Sequence, residues 1–295
     1  MKKYYTALTI AGSDSCGGAG IQADIKTMSA LGVYAASAIT AITVQNTKGV
    51  YAIQKINTDI VSGQIKAVMD DIKPLAIKIG MVNDSETIRA IAQTIKEYII
   101  DNIKSYKEKA EANKCANIHK EVKLIIDPVM VSTSGCRLMQ EDALEIFVKE
   151  LLPLATLLTP NIPEAEILAN IKIQNSKDIK QAAFAISQLG CKYVLIKGGH
   201  FEGTEKIDYL FENGNLIETY YGKNVNTRNT HGTGCTLSSA ITSFIALGND
   251  MSTSIKNAKA YLSNAIEAGK DVEIGEGHGP VDHFFAPKSL FIRQS

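Results

Sequence analysis

Residues 231–235, HGTGC, place a thiol at the mouth of a glycine-rich turn where a helix is predicted to begin. The backbone N–H groups of residues 232–235 would point at one spot at the positive end of that helix, which suits a phosphoryl group in transfer. The same field would lower the pKa of Cys235 from its usual value of about 8.5, so that the thiolate could take a proton from an attacking alcohol. A buried small cysteine is one alternative. A thiol nucleophile is another, but it needs a base, and His231 is only a neighbour along the sequence.

Other ionisable side chains follow predicted strands. Asn161 and Glu164, in TPNIPEAE, form an N-x-x-E pair whose oxygens suit Mg²⁺ held mainly through water and phosphate. The same pair fits a helix N-cap with a first-turn acid equally well. Lys197 precedes two glycines and could contact phosphate, with an exposed lysine as the alternative. Asp127 ends the apolar strand KLII.

The stretch AGSDSCGGAGIQAD, residues 11–24, joins the first long strand to the first helix through a glycine-rich loop. Its glycines lack the G-x-G-x-x-G spacing of a dinucleotide fingerprint, and the chain contains no G-x-x-x-x-G-K-[ST] phosphate loop. Crowded glycines still let backbone N–H groups approach a small ligand closely. A tight turn without a ligand is the alternative.

Strands and helices alternate along the chain, which predicts an α/β fold with a mostly parallel sheet and helices on both faces. Residues 37–45 (SAITAITVQ) are predicted to form one strand buried on both faces. Thr58 or Asp59 is the expected N-cap of the next helix, a long helix begins near Ser85, and another is expected over 141–155. Asn213-Gly214 predicts a hairpin within 207–222. The charged segment 105–121 is expected to be a solvated helix extension or a surface insertion. As an insertion it would span about residues 104–121.

Ligands of such sheets bind beyond the carboxyl ends of the strands. The unusual residues are expected at that edge, each after a strand: Asp14, Gln45, Met81, Asp127, Asn161, Lys197 and the 232–235 turn.

Composition narrows the class of protein. The chain has 295 residues, 45% of them hydrophobic, which is enough for one large domain over 1–295. Lys plus Arg and Asp plus Glu each number 31, so no global field favours nucleic acid or an anionic membrane. No apolar run reaches the roughly 18 residues of a membrane span. The five cysteines are scattered, which favours a reducing, cytoplasmic location over a disulfide framework.

Taken together, the chain resembles the hydroxymethylpyrimidine/phosphomethylpyrimidine kinases of thiamine biosynthesis, which belong to the ribokinase-like superfamily. The resemblance implies a homodimer that uses ATP and Mg²⁺ to phosphorylate 4-amino-5-hydroxymethyl-2-methylpyrimidine and then its monophosphate. The matching stretches span residues 7–284 in the family's order: AGSDSCGGAGIQAD, VQNTKGV, KIGMV, DPVMV, TPNIPEAE, IKGGH, NTHGTGCTLSSA and GHGPVDHF.

The resemblance also implies roles for individual residues. Cys235 stands where most ribokinase-like enzymes have an aspartate base, and Gln45 would pair its amide with the pyrimidine ring. The remaining assignments are these: Gly232, Thr233 and Gly234 for the anion hole; Met81, Gly18, Ala19, Gly20 and Asp24 for substrate; Lys197, Asn161 and Thr230 for the nucleotide; Glu164 and Asp127 for the metal.

One departure and three rivals remain open. Thr133 stands where the family often has a lysine, which puts the charge balance of the second phosphorylation in doubt. Pyridoxal kinase shares the fold and much of the cysteine turn; Gln45-Asn46-Thr47 favours the pyrimidine kinases instead. A non-catalytic binder would not need the transfer residues, and a thiol hydrolase would not need ATP.

Overall fold

The computed structural model describes residues 1–111, 122–131, 135, 138–198 and 205–294. An eight-stranded sheet forms the centre, in the order β11-β10-β9-β8-β7-β6-β2-β3. Strands β3, β2, β6, β7, β8 and β9 are parallel, and the β10–β11 hairpin closes one edge antiparallel. The strands of this sheet are β2 Thr6–Ala11, β3 Tyr34–Ile39, β6 Ala76–Ile79, β7 Lys123–Ile126, β8 Leu157–Leu158, β9 Tyr193–Gly198, β10 Glu205–Glu212 and β11 Asn215–Lys223.

Two small antiparallel sheets lie outside the main one. One pairs β1 with β12, and the other pairs β4 with β5. Their bounds are β1 Lys2–Tyr4, β12 Ile292–Gln294, β4 Ala41–Asn46 and β5 Gly49–Lys55.

The helices cover both faces of the central sheet, as predicted. Successive residues of β9 show this, because Val194 and Ile196 pack into one buried cluster and Leu195 packs into the other. The first cluster includes residues of α2, α3, α5 and α6, and the second includes residues of α1, α7 and α8. The helices are α1 Gly20–Ala30, α2 Thr58–Asp71, α3 Ser85–Glu111, α4 Glu141–Ile146, α5 Ile162–Ala169, α6 Ser176–Ser187, α7 Thr233–Ala246 and α8 Met251–Gly269.

The order of the parallel strands reverses beside β2. The chain goes from β2 to β3 on one side and later returns to β6 on the other. A crevice opens at such a switch point, beyond the carboxyl ends of the strands, and it is the usual ligand site of this architecture. The loop after β2, which begins at Gly12, and the loop after β6, which contains Met81, both start there.

The single buried strand predicted for residues 37–45 is wrong. The chain breaks at Thr40 into β3 and β4, and β4 leaves the central sheet to pair with β5. Side chains of β4 alternate, with Ile42 and Val44 about half exposed. Gln45 therefore lies inside β4 rather than after a strand of the main sheet.

Several element boundaries also differ from the predictions. The N-cap of α2 is Asn57, whose side chain accepts a hydrogen bond from the Asp59 N–H group. The helix predicted over 141–155 ends as α4 at Ile146 and continues as a π-helical turn and a 3-10 turn up to Leu154. Lys197 lies inside β9 rather than after it.

The predicted hairpin at Asn213-Gly214 is confirmed, with both residues at positive φ. Helix α3 runs to Glu111, so the charged segment begins as a helical extension, and residues 112–121 lie outside the described residues. Thr133 also lies outside them. In the part of the chain that is described, no helix has the length and apolarity that a membrane crossing requires.

Candidate active site

Helix α7 begins at the glycine-rich turn, as predicted. Gly232 is its N-cap at φ 78°, a conformation that favours glycine, and a Cβ atom there would overlap the Gly18 carbonyl oxygen. The first residues of a helix have backbone N–H groups without an intrahelical partner. The Thr233 N–H group donates to the Thr230 carbonyl at 3.3 Å, so Thr230 braces the turn through its backbone. The amides of Gly234 and Cys235 follow in the same first turn.

Cys235 is partly exposed at the base of this turn, against the start of α1. The backbone N–H group of Gly20 donates to its sulfur. Burial raises the pKa of the thiol to about 11, and the nearby carboxylates of Asp24 and Asp127 add to this, while the Lys78 ammonium opposes them. The predicted lowering of the Cys235 pKa is therefore wrong, because burial and two carboxylates outweigh the Lys78 ammonium and the Gly20 N–H group.

A buried ion pair lies close to Cys235, between α1, α7 and the sheet. Lys78 of β6 and Asp24 of α1 are both fully buried, and their Nζ and Oδ2 atoms are 2.8 Å apart. Thr9 and Ser239 each donate a hydrogen bond to the Asp24 carboxylate at 2.6 Å. Asp24 thus binds protein groups, and the structure does not place it among residues that face a substrate. Lys78 was missed, although a lysine within the apolar strand AIKI was a visible signal.

Lys197 and Asp127 lie beside the α7 turn. Lys197 Nζ is 2.9 Å from Asp127 Oδ1, which also accepts from the Thr159 hydroxyl at 3.1 Å. A Cβ atom on Gly234 would lie 3.3 Å from Asp127 Oδ2 and 3.5 Å from Lys197 Nζ. Strand β9 and the residue after β7 therefore bring both charges beside the first turn of α7, as the sequence predicted; their contact with phosphate stays a prediction.

Asn161 and Glu164 form a capping box at the start of α5. The Asn161 side chain accepts from the Glu164 N–H group, and the Glu164 carboxylate accepts from the Asn161 N–H group, each at 2.9 Å. The helix N-cap with a first-turn acid, which the sequence offered as the alternative role of this pair, is thus present. Burial raises the pKa of Glu164 to about 7; Lys197 opposes this and Asp127 adds to it. Glu164 therefore also belongs to the charged group around Lys197.

The donor set of this group fits a hard divalent cation. Asp127 and Glu164 offer carboxylate oxygens, which Mg²⁺ prefers, and Lys197 offers a positive charge to phosphate oxygens beside them. Both carboxylates are almost fully buried, so an added cation would relieve the charge that burial disfavours.

A second polar group joins the loop after β2 to the turn before α7. The Asp14 carboxylate accepts from the backbone N–H groups of Gly18 and Ala19, at 3.0 and 2.8 Å. Its Oδ2 atom lies 2.8 Å from Nε2 of His231, and that nitrogen lies 3.4 Å from the Gln45 amide. The backbone N–H groups of Gly18 and Ala19 thus hold Asp14 in place. Sequence reasoning treated His231 only as a neighbour of Cys235.

Met81 lies where the loops after β2 and β6 meet. It is buried with Ala41 and Leu138, and a Cβ atom on Gly12 would lie 3.3 Å from its sulfur. Met81 through Gly12, Gln45 through His231 and the Gly18–Gly20 loop through Gly232 thus adjoin segments that meet near the α7 turn; that they form a substrate pocket stays a prediction.

The fold and the site define a class of protein. The order of the parallel strands fits the ribokinase-like kinases, and solved kinases similar to this chain cover 88% and 95% of it. The predicted fold class and the predicted phosphotransferase class are confirmed.

The family follows from sequence. A family model described as phosphomethylpyrimidine kinase matches residues 14–282. A hydroxymethylpyrimidine/phosphomethylpyrimidine kinase of Rhizobium meliloti is 46% identical over 279 residues, which cover 94% of this chain and 96% of that relative. The chain belongs to the phosphomethylpyrimidine kinase family, as the eight stretches predicted.

Two solved structures are similar to this one. A phosphomethylpyrimidine kinase from Clostridium difficile is 45% identical with a TM-score of 0.72, covering 88% of this chain and 99% of that one. An ADP complex of Bacillus subtilis pyridoxal kinase is 32% identical with a TM-score of 0.80, covering 95% and 98%. Backbone similarity alone therefore does not separate the two activities, and the sequence identity favours the pyrimidine kinases.

Proposed function

We propose that this chain, acting as one kinase domain, transfers phosphate from ATP to the hydroxymethyl group of 4-amino-5-hydroxymethyl-2-methylpyrimidine and then to the resulting monophosphate, for thiamine biosynthesis. The observation that carries the proposal is the position of Cys235. Its thiol lies in the first turn of α7, against Gly20 at the start of α1 and close to Asp127, which pairs with Lys197.

Cys235 acts as the base for the substrate alcohol. The transition state of phosphoryl transfer is loose, so the alcohol keeps its proton until late and catalysis depends mainly on positioning and charge. The amides of the α7 turn hold the transferring group while the sulfur accepts that proton. Because the thiol pKa is about 11, turnover that depends on thiolate should rise as the pH rises from neutrality.

The nucleotide lies on the other side of the turn, toward β7 and β9. Asp127 and Glu164 would hold Mg²⁺ through water and phosphate oxygens, and the ion supplies neutralisation of phosphate charge when bound. Lys197 contacts the phosphates, and Asn161 and Thr230 border them. The ADP bound to the Bacillus subtilis relative supports the use of an adenine nucleotide.

Phosphorylation of pyridoxal is the second candidate, because the TM-score of a pyridoxal kinase is 0.80. Both substrates are flat heteroaromatic rings that carry a hydroxymethyl group. Gln45 in the crevice favours the aminopyrimidine, whose adjacent ring nitrogen and amino group match the acceptor and donor of a side-chain amide.

The finer assignments of assembly and location are also proposals. Exposed apolar side chains on the β4–β5 ribbon, namely Ile42, Val44 and Tyr51, support a homodimer that buries this ribbon. We assign the dimer to the cytoplasm because the cysteines are scattered and odd in number. Sedimentation equilibrium, compared with an Ile42→Lys/Val44→Lys variant, tests the assembly.

Replacement of Cys235 with Ala tests the role of the thiol. We expect turnover to fall by about 10²–10⁴-fold, the usual contribution of a positioned base, with the KM for ATP and the unfolding midpoint little changed. Cys191→Ala is the matched control, because Cys191 is a buried thiol of the hydrophobic core, two residues before β9. Near-normal turnover of folded Cys235→Ala would remove the thiol from the mechanism.

A further inference from the structure

We propose that His231 is a positioning residue that fixes which end of the Gln45 side-chain amide faces the α7 turn, and thereby fixes the orientation in which the substrate ring binds. The inference rests on the proposed function, because it assumes that Gln45 binds an aminopyrimidine. It adds a residue that determines the productive direction of binding.

Asp14 requires a hydrogen on His231. The Asp14 carboxylate accepts three backbone N–H groups, from Cys16, Gly18 and Ala19. Burial would raise the pKa of Asp14, but His231 and these hydrogen bonds outweigh it and hold the pKa below its ordinary value. An ionised carboxylate only accepts hydrogen bonds, so the Nε2 atom of His231, 2.8 Å from Oδ2, carries a hydrogen and donates it.

That hydrogen determines the orientation of the Gln45 amide. With Gln45 Nε2 placed 3.4 Å from His231 Nε2, two N–H donors face each other. The Thr43 hydroxyl would then donate both to Gln45 Oε1 at 3.3 Å and to the Ser13 carbonyl at 2.8 Å, although it has one hydrogen. A side-chain amide is assigned from its partners, because its oxygen and nitrogen ends have the same shape. A half-turn of the amide removes both conflicts. Nε2 then donates to the Thr43 hydroxyl oxygen, and Oε1 becomes a second, longer acceptor for the His231 hydrogen that Asp14 also accepts.

The orientation of the amide sets the direction of the ring. In the substrate, the ring nitrogen N3 accepts, the adjacent 4-amino group donates, and the carbon after it carries the hydroxymethyl group. Gln45 can bind both positions at once, with Nε2 donating to N3 and Oε1 accepting from the 4-amino group. Since Oε1 lies on the side of His231, the hydroxymethyl group lies on that side as well. His231 immediately precedes the 232–235 turn, so this direction brings the alcohol toward Cys235.

The surroundings of His231 keep the ring in place. It is almost fully buried, and a Cβ atom on Gly18 would lie 2.5 Å from its Cδ2 atom. Gly18 therefore leaves the space that the imidazole ring fills. The backbone N–H group of His231 also donates to the Gly279 carbonyl at 3.1 Å, which ties His231 to the GHGPVDHF stretch.

A pair of ligands tests the proposal by calorimetry. The substrate pyrimidine is compared with its 4-oxo analogue, in which N3 carries a hydrogen and the 4-substituent accepts, so the analogue matches only the reversed amide. We expect the wild type to prefer the amino compound. In His231→Leu the amide is free to turn, and this preference should fall about tenfold or more, the usual effect of one buried hydrogen-bond mismatch. His231→Gln keeps an N–H donor and should retain the preference, as should the control His278→Leu.

Each outcome has one meaning. If His231→Leu weakens both ligands by the same factor, His231 is merely structural and the proposal is overturned. If that variant does not fold, Thr43→Val removes the other partner of the amide and leaves His231 in place, so the preference should be retained. Loss of the preference in Thr43→Val would show that Thr43 sets the orientation and would overturn the proposal. If the wild type binds neither pyrimidine, the proposed function itself fails.

Discussion

Replacement of Lys78 with Met should destabilise the protein strongly, because it leaves the Asp24 carboxylate buried without its cation. Both side chains are fully buried, and the pair is joined by contacts of 2.8 and 3.0 Å. Removing one partner of such a pair costs about 3–5 kcal/mol of the free energy of unfolding, since the remaining charge cannot reach water. The Thr9 and Ser239 hydroxyls still donate to Asp24, so the lower half of that range is the better expectation.

Urea unfolding followed by circular dichroism measures this loss. The matched control is Lys149→Met, because Lys149 pairs with Glu145 on an exposed surface and such pairs contribute little. The double variant Lys78→Met/Asp24→Asn removes both charges of this pair and should recover most of the lost stability. A Lys78→Met variant as stable as Lys149→Met would refute the reasoning, and so would a double variant weaker than the single one.

Two further predictions concern the α7 turn. The pKa of His231 is raised to about 9 despite its burial, because Asp14 favours the charged form. The native state therefore holds a proton that the unfolded state loses above pH 6.5, so up to about 3 kcal/mol of the unfolding free energy should be lost between pH 6.5 and 9. In urea titrations His231→Gln should not show this fall of the unfolding free energy with pH, whereas the control His278→Gln should keep it. Gly232→Ala should abolish turnover, measured as ADP release, because the added Cβ atom would overlap Gly18. The control Gly248→Ala, at φ 96° with open space around it, should keep turnover and lose only stability. Equal activities of the two variants would contradict the steric argument.

Local sequence patterns correctly predicted the parts of the fold that depend on the chemistry of single residues. The two glycines of HGTGC predicted the start of α7, and Asn213-Gly214 predicted the hairpin turn. Both succeed because positive φ is a property of single residues. The apolar run of residues 37–45 failed for the opposite reason: its composition favours a strand but does not say which sheet the strand joins, and β4 leaves the main sheet at Thr40.

The site was predicted where motifs carry it and missed where partners come from distant parts of the chain. Lys197 and Asp127 were found beside the turn because each lies near the carboxyl end of a parallel strand. The pKa of Cys235 could not be predicted, since it depends on burial and on the charges of Asp24, Lys78 and Asp127, which come from three separate parts of the chain. Asp24 was assigned to the substrate because its motif matched, but its partners Lys78 and Ser239 lie 54 and 215 residues away along the chain.

The most direct test of the central claim is to incubate the protein with Mg-ATP and either 4-amino-5-hydroxymethyl-2-methylpyrimidine or pyridoxal, and to resolve the products by mass. We expect the pyrimidine monophosphate to form first and the diphosphate to follow, each with release of ADP. Product from pyridoxal alone, or no consumption of ATP with either compound, would contradict the account.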